Sequence, residues 1–149
     1  MSLEKQVIDQ IKTAMKAKDT ISLTALRALK SAFMLAKTEA GATNTLSLEQ
    51  ELKIVQKQVK QRKDSADIFI KQGRQDLAEP ELKEAAVLEQ FLPEALSEEK
   101  IEEVVKSAIA KIGASRVSDM GKVMGVVSKE LAGKADGKTI ATIVRKNLL

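Results

Sequence analysis

Apolar positions along the chain recur at intervals of three and four almost everywhere, and nowhere do four or more alternate as a strand requires. The pattern predicts an all-α protein. A first helix, from about Leu3 to Ala17, carries Leu3, Val7, Ile8, Ile11, Ala14 and Met15 on one stripe. Asp19 or Thr20 caps a second, whose apolar set Ile21, Ala25, Leu26, Leu29, Ala32, Phe33 and Ala36 is wide enough for a largely buried helix that Gly41 ends. Ser47 followed by Gln50 reads as a capping box that opens a long third helix, through Leu48, Leu52, Val55, Val59, Ala66 and Phe69 or Ile70 to Gly73. Two starts are open for the fourth: Asp76 with Glu79 as a capping box, or Glu79-Pro80 with the proline at the first helical position. Its packing face is Leu82, Ala85, Ala86, Leu88, Phe91 and Leu92.

Pro93 disfavours helical geometry at Leu92 and stops that helix. Ser97-Glu98-Glu99 opens a fifth, with acids at its positive end, running through Ile101, Val104, Val105, Ala108, Ile109 and Ile112 to Gly113. A sixth runs from about Ser118 to Ala132 with Met120, Val123, Met124, Val127 and Leu131 inward. The last begins at Asp136 and shows Ile140, Ile143, Val144 and Leu148. The expected organisation is a four-helix bundle over residues 1–93 followed by a three-helix bundle over residues 94–149.

Composition removes whole classes of chemistry. With no His and no Cys among 149 residues, a Ser-His-Asp or Cys-His nucleophile, the usual zinc ligand sets and a disulfide are excluded. Any enzyme would work with carboxylates, Lys, Arg and hydroxyls; the expectation is no catalytic residue, no cofactor and no metal. The longest stretch without Asp, Glu, Lys or Arg is Ala40 to Leu48, far short of the roughly 20 apolar residues of a membrane span. The N-terminus lacks a basic-then-apolar leader, and the absence of Cys suits a reducing compartment. A cytoplasmic location, with no membrane partner, is expected.

Charge is unevenly spread. Residues 113 to 149 hold seven basic side chains (Arg116, Lys122, Lys129, Lys134, Lys138, Arg145, Lys146) against three acidic (Asp119, Glu130, Asp136), which places the net +4 in the last quarter. Helix three has a second local excess, with Lys53, Lys57, Lys60, Arg62, Lys63, Lys71 and Arg74 against Asp64 and Asp67. Arg27 and Lys30 lie three apart within the apolar second helix. Such stripes suit phosphates through counterion release, although for helix three taken alone a solvated face is the favoured reading. With Phe33, Phe69 and Phe91 as the only rings, base stacking is not available, so any nucleic-acid contact is to backbone and shape, which favours structured RNA.

Other motifs have plainer readings. Gly133-Lys134-Ala135-Asp136-Gly137-Lys138-Thr139 is one residue short of a phosphate-binding loop and has no strand before it; a helix stop and an Asp136 cap account for it, with one phosphate between Lys134 and Lys138 as the lesser alternative. Gly121, Gly125, Ser128 and Ala132 make a stripe of small residues, favoured as a helix-packing surface over an RNA-facing notch. Ser2-Leu3-Glu4-Lys5 and Ser97-Glu98-Glu99-Lys100 match a Ser-x-x-Lys nucleophile, yet both open helices, where Ser is a cap.

Lys60-Gln61-Arg62-Lys63-Asp64-Ser65, Gly73-Arg74-Gln75-Asp76-Leu77, Phe91-Leu92-Pro93-Glu94-Ala95-Leu96-Ser97-Glu98-Glu99, Asp119-Met120-Gly121-Lys122-Val123-Met124-Gly125, and Gly133-Lys134-Ala135-Asp136-Gly137-Lys138 with Val144-Arg145 resemble, in that order, the YqeY proteins. That family resembles the C-terminal tail of GatB, the subunit of the glutamine-dependent amidotransferase that binds misacylated tRNA. Related modules are appended to glutaminyl-tRNA synthetases. The resemblance implies four helices followed by three and a tRNA-associated role, with amide transfer belonging to domains this chain lacks. The expected RNA contacts are Arg27, Lys30, Lys60, Arg62, Lys63 and Arg74 in the first bundle and Lys122, Lys134, Lys138 and Arg145 in the second. The alternative is an adaptor that docks onto an aminoacyl-tRNA synthetase or amidotransferase subunit through the small-residue face of helix six.

Overall fold

The computed structural model describes residues 2–39 and 45–149, and among them all regular structure is helical. The expectation that Gly41 stops the second helix lies outside the described residues. The chain divides into two compact units, Met1–Leu92 and Pro93–Leu149.

The first unit is built from α1 (Leu3–Ala17), α2 (Thr20–Glu39), α3 (Leu48–Lys71) and α4 (Gln75–Glu89). Ser2 Oγ accepts the Lys5 N–H at the start of α1, and Asp19 accepts the Ser22 N–H at the start of α2. The expected box opens α3: Gln50 N–H donates to Ser47 Oγ, and Ser47 N–H donates to Gln50 Oε1 at 2.8 Å. At the far end of α3, Gly73 adopts φ +72 while Arg74 N–H reaches the Phe69 carbonyl and Gly73 N–H the Ile70 carbonyl. That left-handed turn hands the chain straight into α4, which begins at Gln75, earlier than either expected start. Asp76 lies in the first turn as a favourable negative charge, and Pro80 sits inside the helix.

The core joins Val7, Ala25, Leu26, Leu29, Phe33, Val55, Ala85 and Leu88, each at most 1% exposed. Burial of each large side chain contributes about 1.5–3 kcal/mol. Buried Ala66 on α3 and Ala78 and Ala85 on α4 leave room for close packing of those two helices. Met15, Leu48, Ile70 and Leu82, all assigned inward by periodicity, are 43–61% exposed. Leu48 opens α3 and Ile70 lies in its last turn, and Leu82 and Met15 stand at the edges of their buried faces.

The second unit packs α5 (Glu98–Ile112), α6 (Met120–Glu130) and α7 (Gly137–Leu148) against one another, with a single 3-10 turn, Val117–Asp119, before α6. Ser97 Oγ caps the Lys100 N–H, and Asp136 Oδ1 accepts the Thr139 N–H at 2.9 Å. Gly113 closes α5 at φ +76. Ile101, Val105, Val123, Val127, Leu131, Ile140 and Val144, each at most 2% exposed, form its separate core.

Candidate nucleic-acid interface

In the first unit the cations expected to face RNA are largely engaged within the protein. Lys60 Nζ pairs with Asp64 at 2.9 Å, Lys63 with Glu89 at 2.5 Å, and Arg74 with Asp76 at 3.0 Å. Lys53 pairs with Glu49. Arg62 is the most enclosed of the set: its side chain is 12% exposed, Nη1 donates to the Gln58 side chain at 2.8 Å, and Nε lies 3.5 Å from the Glu84 carboxylate without hydrogen-bond geometry. Burial pushes the Glu84 carboxyl up, with Arg62 opposing and Glu81 adding. Arg62 therefore ties α3 to α4. Arg27 is exposed and Lys30 half-buried, and neither makes an ion pair among the described residues.

The second unit is arranged differently. Lys122, Lys134, Lys138 and Arg145 are exposed, and with Arg116, Lys129 and Lys146 they make no ion pair among the described residues. Two of the three acids within residues 113–149 are occupied by the backbone. Asp119 Oδ2 accepts the Ser115 and Arg116 N–H groups at 3.1 and 3.2 Å, and Asp136 caps α7. Those two N–H bonds hold the Asp119 carboxyl below its ordinary value, with the charges of Lys122 and Arg116 adding. On α7, Lys138, Thr142 and Arg145 share the face away from Ile140, Ile143, Val144 and Leu148. Lys138 and Lys146 also line a groove of about 300 Å³ beside Glu98 and Glu102 of α5.

The two glycines of the small-residue stripe do not pack against another helix. A side-chain carbon added at Gly121 or Gly125 would meet nothing within 4 Å, so close approach of another helix does not explain them. Both are exposed, next to Lys122 and Lys129.

Charge counting over wide windows also missed a region. Residues 1–38 contain seven basic side chains (Lys5, Lys12, Lys16, Lys18, Arg27, Lys30, Lys37) against three acidic (Glu4, Asp9, Asp19), and the acid-rich middle of the chain cancels them. The +4 surplus is thus not confined to the last quarter. Of those seven, only Lys37 is ion-paired among the described residues, to Glu4. Counting residues 1–38 separately would have found the excess.

Among the described residues no three metal-ligating side chains cluster, and no helix is long and apolar enough to cross a membrane.

The family described as Yqey-like protein matches the chain over residues 4–148. The chain is 31% identical over 121 residues to "Altered inheritance of mitochondria protein 41, mitochondrial" of Clavispora lusitaniae, covering 81% of this chain and 69% of that protein. The protein of the same name from Pyrenophora tritici-repentis is 32% identical over 127 residues, 84% of this chain and 68% of its own length. A glutamyl-tRNA(Gln) amidotransferase subunit of Thermococcus gammatolerans is 40% identical over 73 residues, which are 46% of this chain and 12% of that subunit.

Proposed function

The chain belongs to the Yqey-like protein family, and on that footing we propose that it is a non-enzymatic module that holds folded tRNA by contacts to the phosphate backbone. The observation that carries this reading is the state of the charge in residues 113–149: seven cations without ion pairs among the described residues, beside three acids, two of which are committed to backbone N–H groups. A positive segment that makes no ion pair within the protein among the described residues suits a polyanion. The likeness to a stretch of a tRNA-dependent amidotransferase subunit supports tRNA as that polyanion.

The contacts are Arg27 and Lys30 on the first unit and Lys122, Lys134, Lys138 and Arg145 on the second. Lys60, Arg62, Lys63 and Arg74 are secondary in this reading because acids already hold them. The reading places the chain in the cytoplasm, whereas the names of the two fungal relatives carry a mitochondrial designation. A gel-shift series comparing tRNA with duplex DNA tests it. If about four to six phosphates are engaged, the logarithm of affinity falls with the logarithm of salt at a slope of roughly −3 to −5. No binding at low salt, or tight binding that ignores salt, overturns it.

A second reading, an adaptor for a synthetase or amidotransferase subunit, is favoured by one observation: the Gly121 and Gly125 face of α6 is open. Replacing Gly125 with Leu then abolishes capture of such a subunit and leaves tRNA affinity unchanged. Glutamine hydrolysis by the purified chain would speak against both.

A further inference from the structure

We propose that α1 is a phosphate-contact strip in its own right, on which Lys5, Lys12 and Lys16 track one strand of an RNA helix. The inference rests on the tRNA reading above and adds a surface to it. At 100° per residue the three lysines fall within about 40° of one another around the helix axis. The buried Leu3, Val7 and Ala14 lie on the opposite side. All three lysines are exposed, and none makes an ion pair among the described residues.

Asp9 shares that face, three and four positions from Lys12 and Lys5, yet pairs with neither. A lysine N-terminal to an acid at four residues is also the weaker order for a helical pair. The contrast with α3 is direct, because there Lys53 and Lys60 are each answered by an acid one turn away.

Spacing and composition select the ligand. A rise of 1.5 Å per residue separates Lys5 from Lys12 by about 10.5 Å and Lys12 from Lys16 by about 6 Å. Three cations spread over about 16.5 Å on one side of a helix suit several phosphates of a single backbone strand. Phe33 and Phe91 are buried and Phe69 half-buried, so the surface has no ring on which an unpaired base could stack. A paired strand, read through its backbone, fits.

The test is equilibrium binding of a tRNA transcript between about 50 and 200 mM salt. It compares the full chain, the triple variant K5Q/K12Q/K16Q, and the control K53Q/K100Q/K106Q, whose lysines are ion-paired in the native chain and lie outside the proposed contact set. Thermal midpoints of all three establish that folding is intact. The expected result is a salt slope shallower by about 2 to 3 in the α1 variant and unchanged in the control. An α1 variant with the native slope overturns the inference while leaving the tRNA reading standing; that is also the outcome if the strip holds an acidic protein segment. Equal losses in both triples overturn it too. A native chain that binds no tRNA at any of these salts removes both.

Discussion

The Glu51 carboxylate on α3 accepts the main-chain N–H of Glu4, 2.9 Å away and 47 positions earlier in the chain. Glu51 is 3% exposed and is the one buried charged residue among those described. It satisfies one of the first-turn N–H groups of α1 that have no partner within the helix, and it sets a negative charge at that helix's positive end. The Glu4 side chain meanwhile pairs with Lys37, so three helices meet at one helix start.

Replacing Glu51 with Ala should therefore lower stability by about 1–3 kcal/mol, because the Glu4 N–H loses its acceptor in a partly buried site. Gln at the same position keeps an amide oxygen and should lose less. Urea unfolding at constant slope reads the difference as a shift in midpoint.

Arg62 separates a structural role from an RNA-binding one. Its guanidinium is enclosed between Gln58 and Glu84. Arg62→Ala is expected to cost about 1–2 kcal/mol of stability through lost charged hydrogen bonding. The salt slope of tRNA binding should remain that of the native chain. A shallower slope with unchanged stability would return Arg62 to the interface.

Acid should act on Asp119 and Glu84 in opposite directions. Asp119 in the folded chain lies below its ordinary value, so its stabilisation is present above that value and is lost as pH falls through and below it. Glu84 is raised by burial; the folded chain takes up that proton more readily, so its contribution favours folding at low pH and fades as pH rises from the ordinary glutamate value to the raised one. Unfolding midpoints followed against pH, with Glu84→Gln and Asp119→Asn as references, should show the first substitution flattening the rise on acidification and the second flattening the fall.

The helices and most caps were legible because their signals are local. Ser47 with Gln50, Ser97, Asp136 and Gly113 each act within one turn, and each occupies its expected cap. The start of α4 was not legible. Pro80 pulled it toward Glu79, whereas the Gly73 reversal, made by hydrogen bonds from Gly73 and Arg74 back to Ile70 and Phe69, launches the helix at Gln75. Lys18 makes the same kind of reversal at φ +56 without the glycine that would have marked it. Among the candidate contacts the sequence showed where cations were but not which acids answer them: Lys63 meets Glu89 and Arg62 meets Glu84 only because α3 and α4 fold back on each other.

Gly125 gives the sharpest stability test. It lies inside α6 with helical backbone, and an added side-chain carbon there meets nothing within 4 Å. A glycine in a helix interior is less favourable than alanine by about 0.5–1 kcal/mol, chiefly through unfolded-chain entropy. Gly125→Ala should accordingly raise the unfolding free energy by that amount, read as a higher denaturant midpoint. Gly125→Leu should also stay folded, because the open face has room for the larger side chain. If either variant unfolds, a packing partner occupies that face after all, and the helix-packing reading of the Gly121–Gly125 stripe is restored. If both are stable, the fold does not require these glycines, and any loss of binding in the leucine variant reports on a partner reaching the α6 surface.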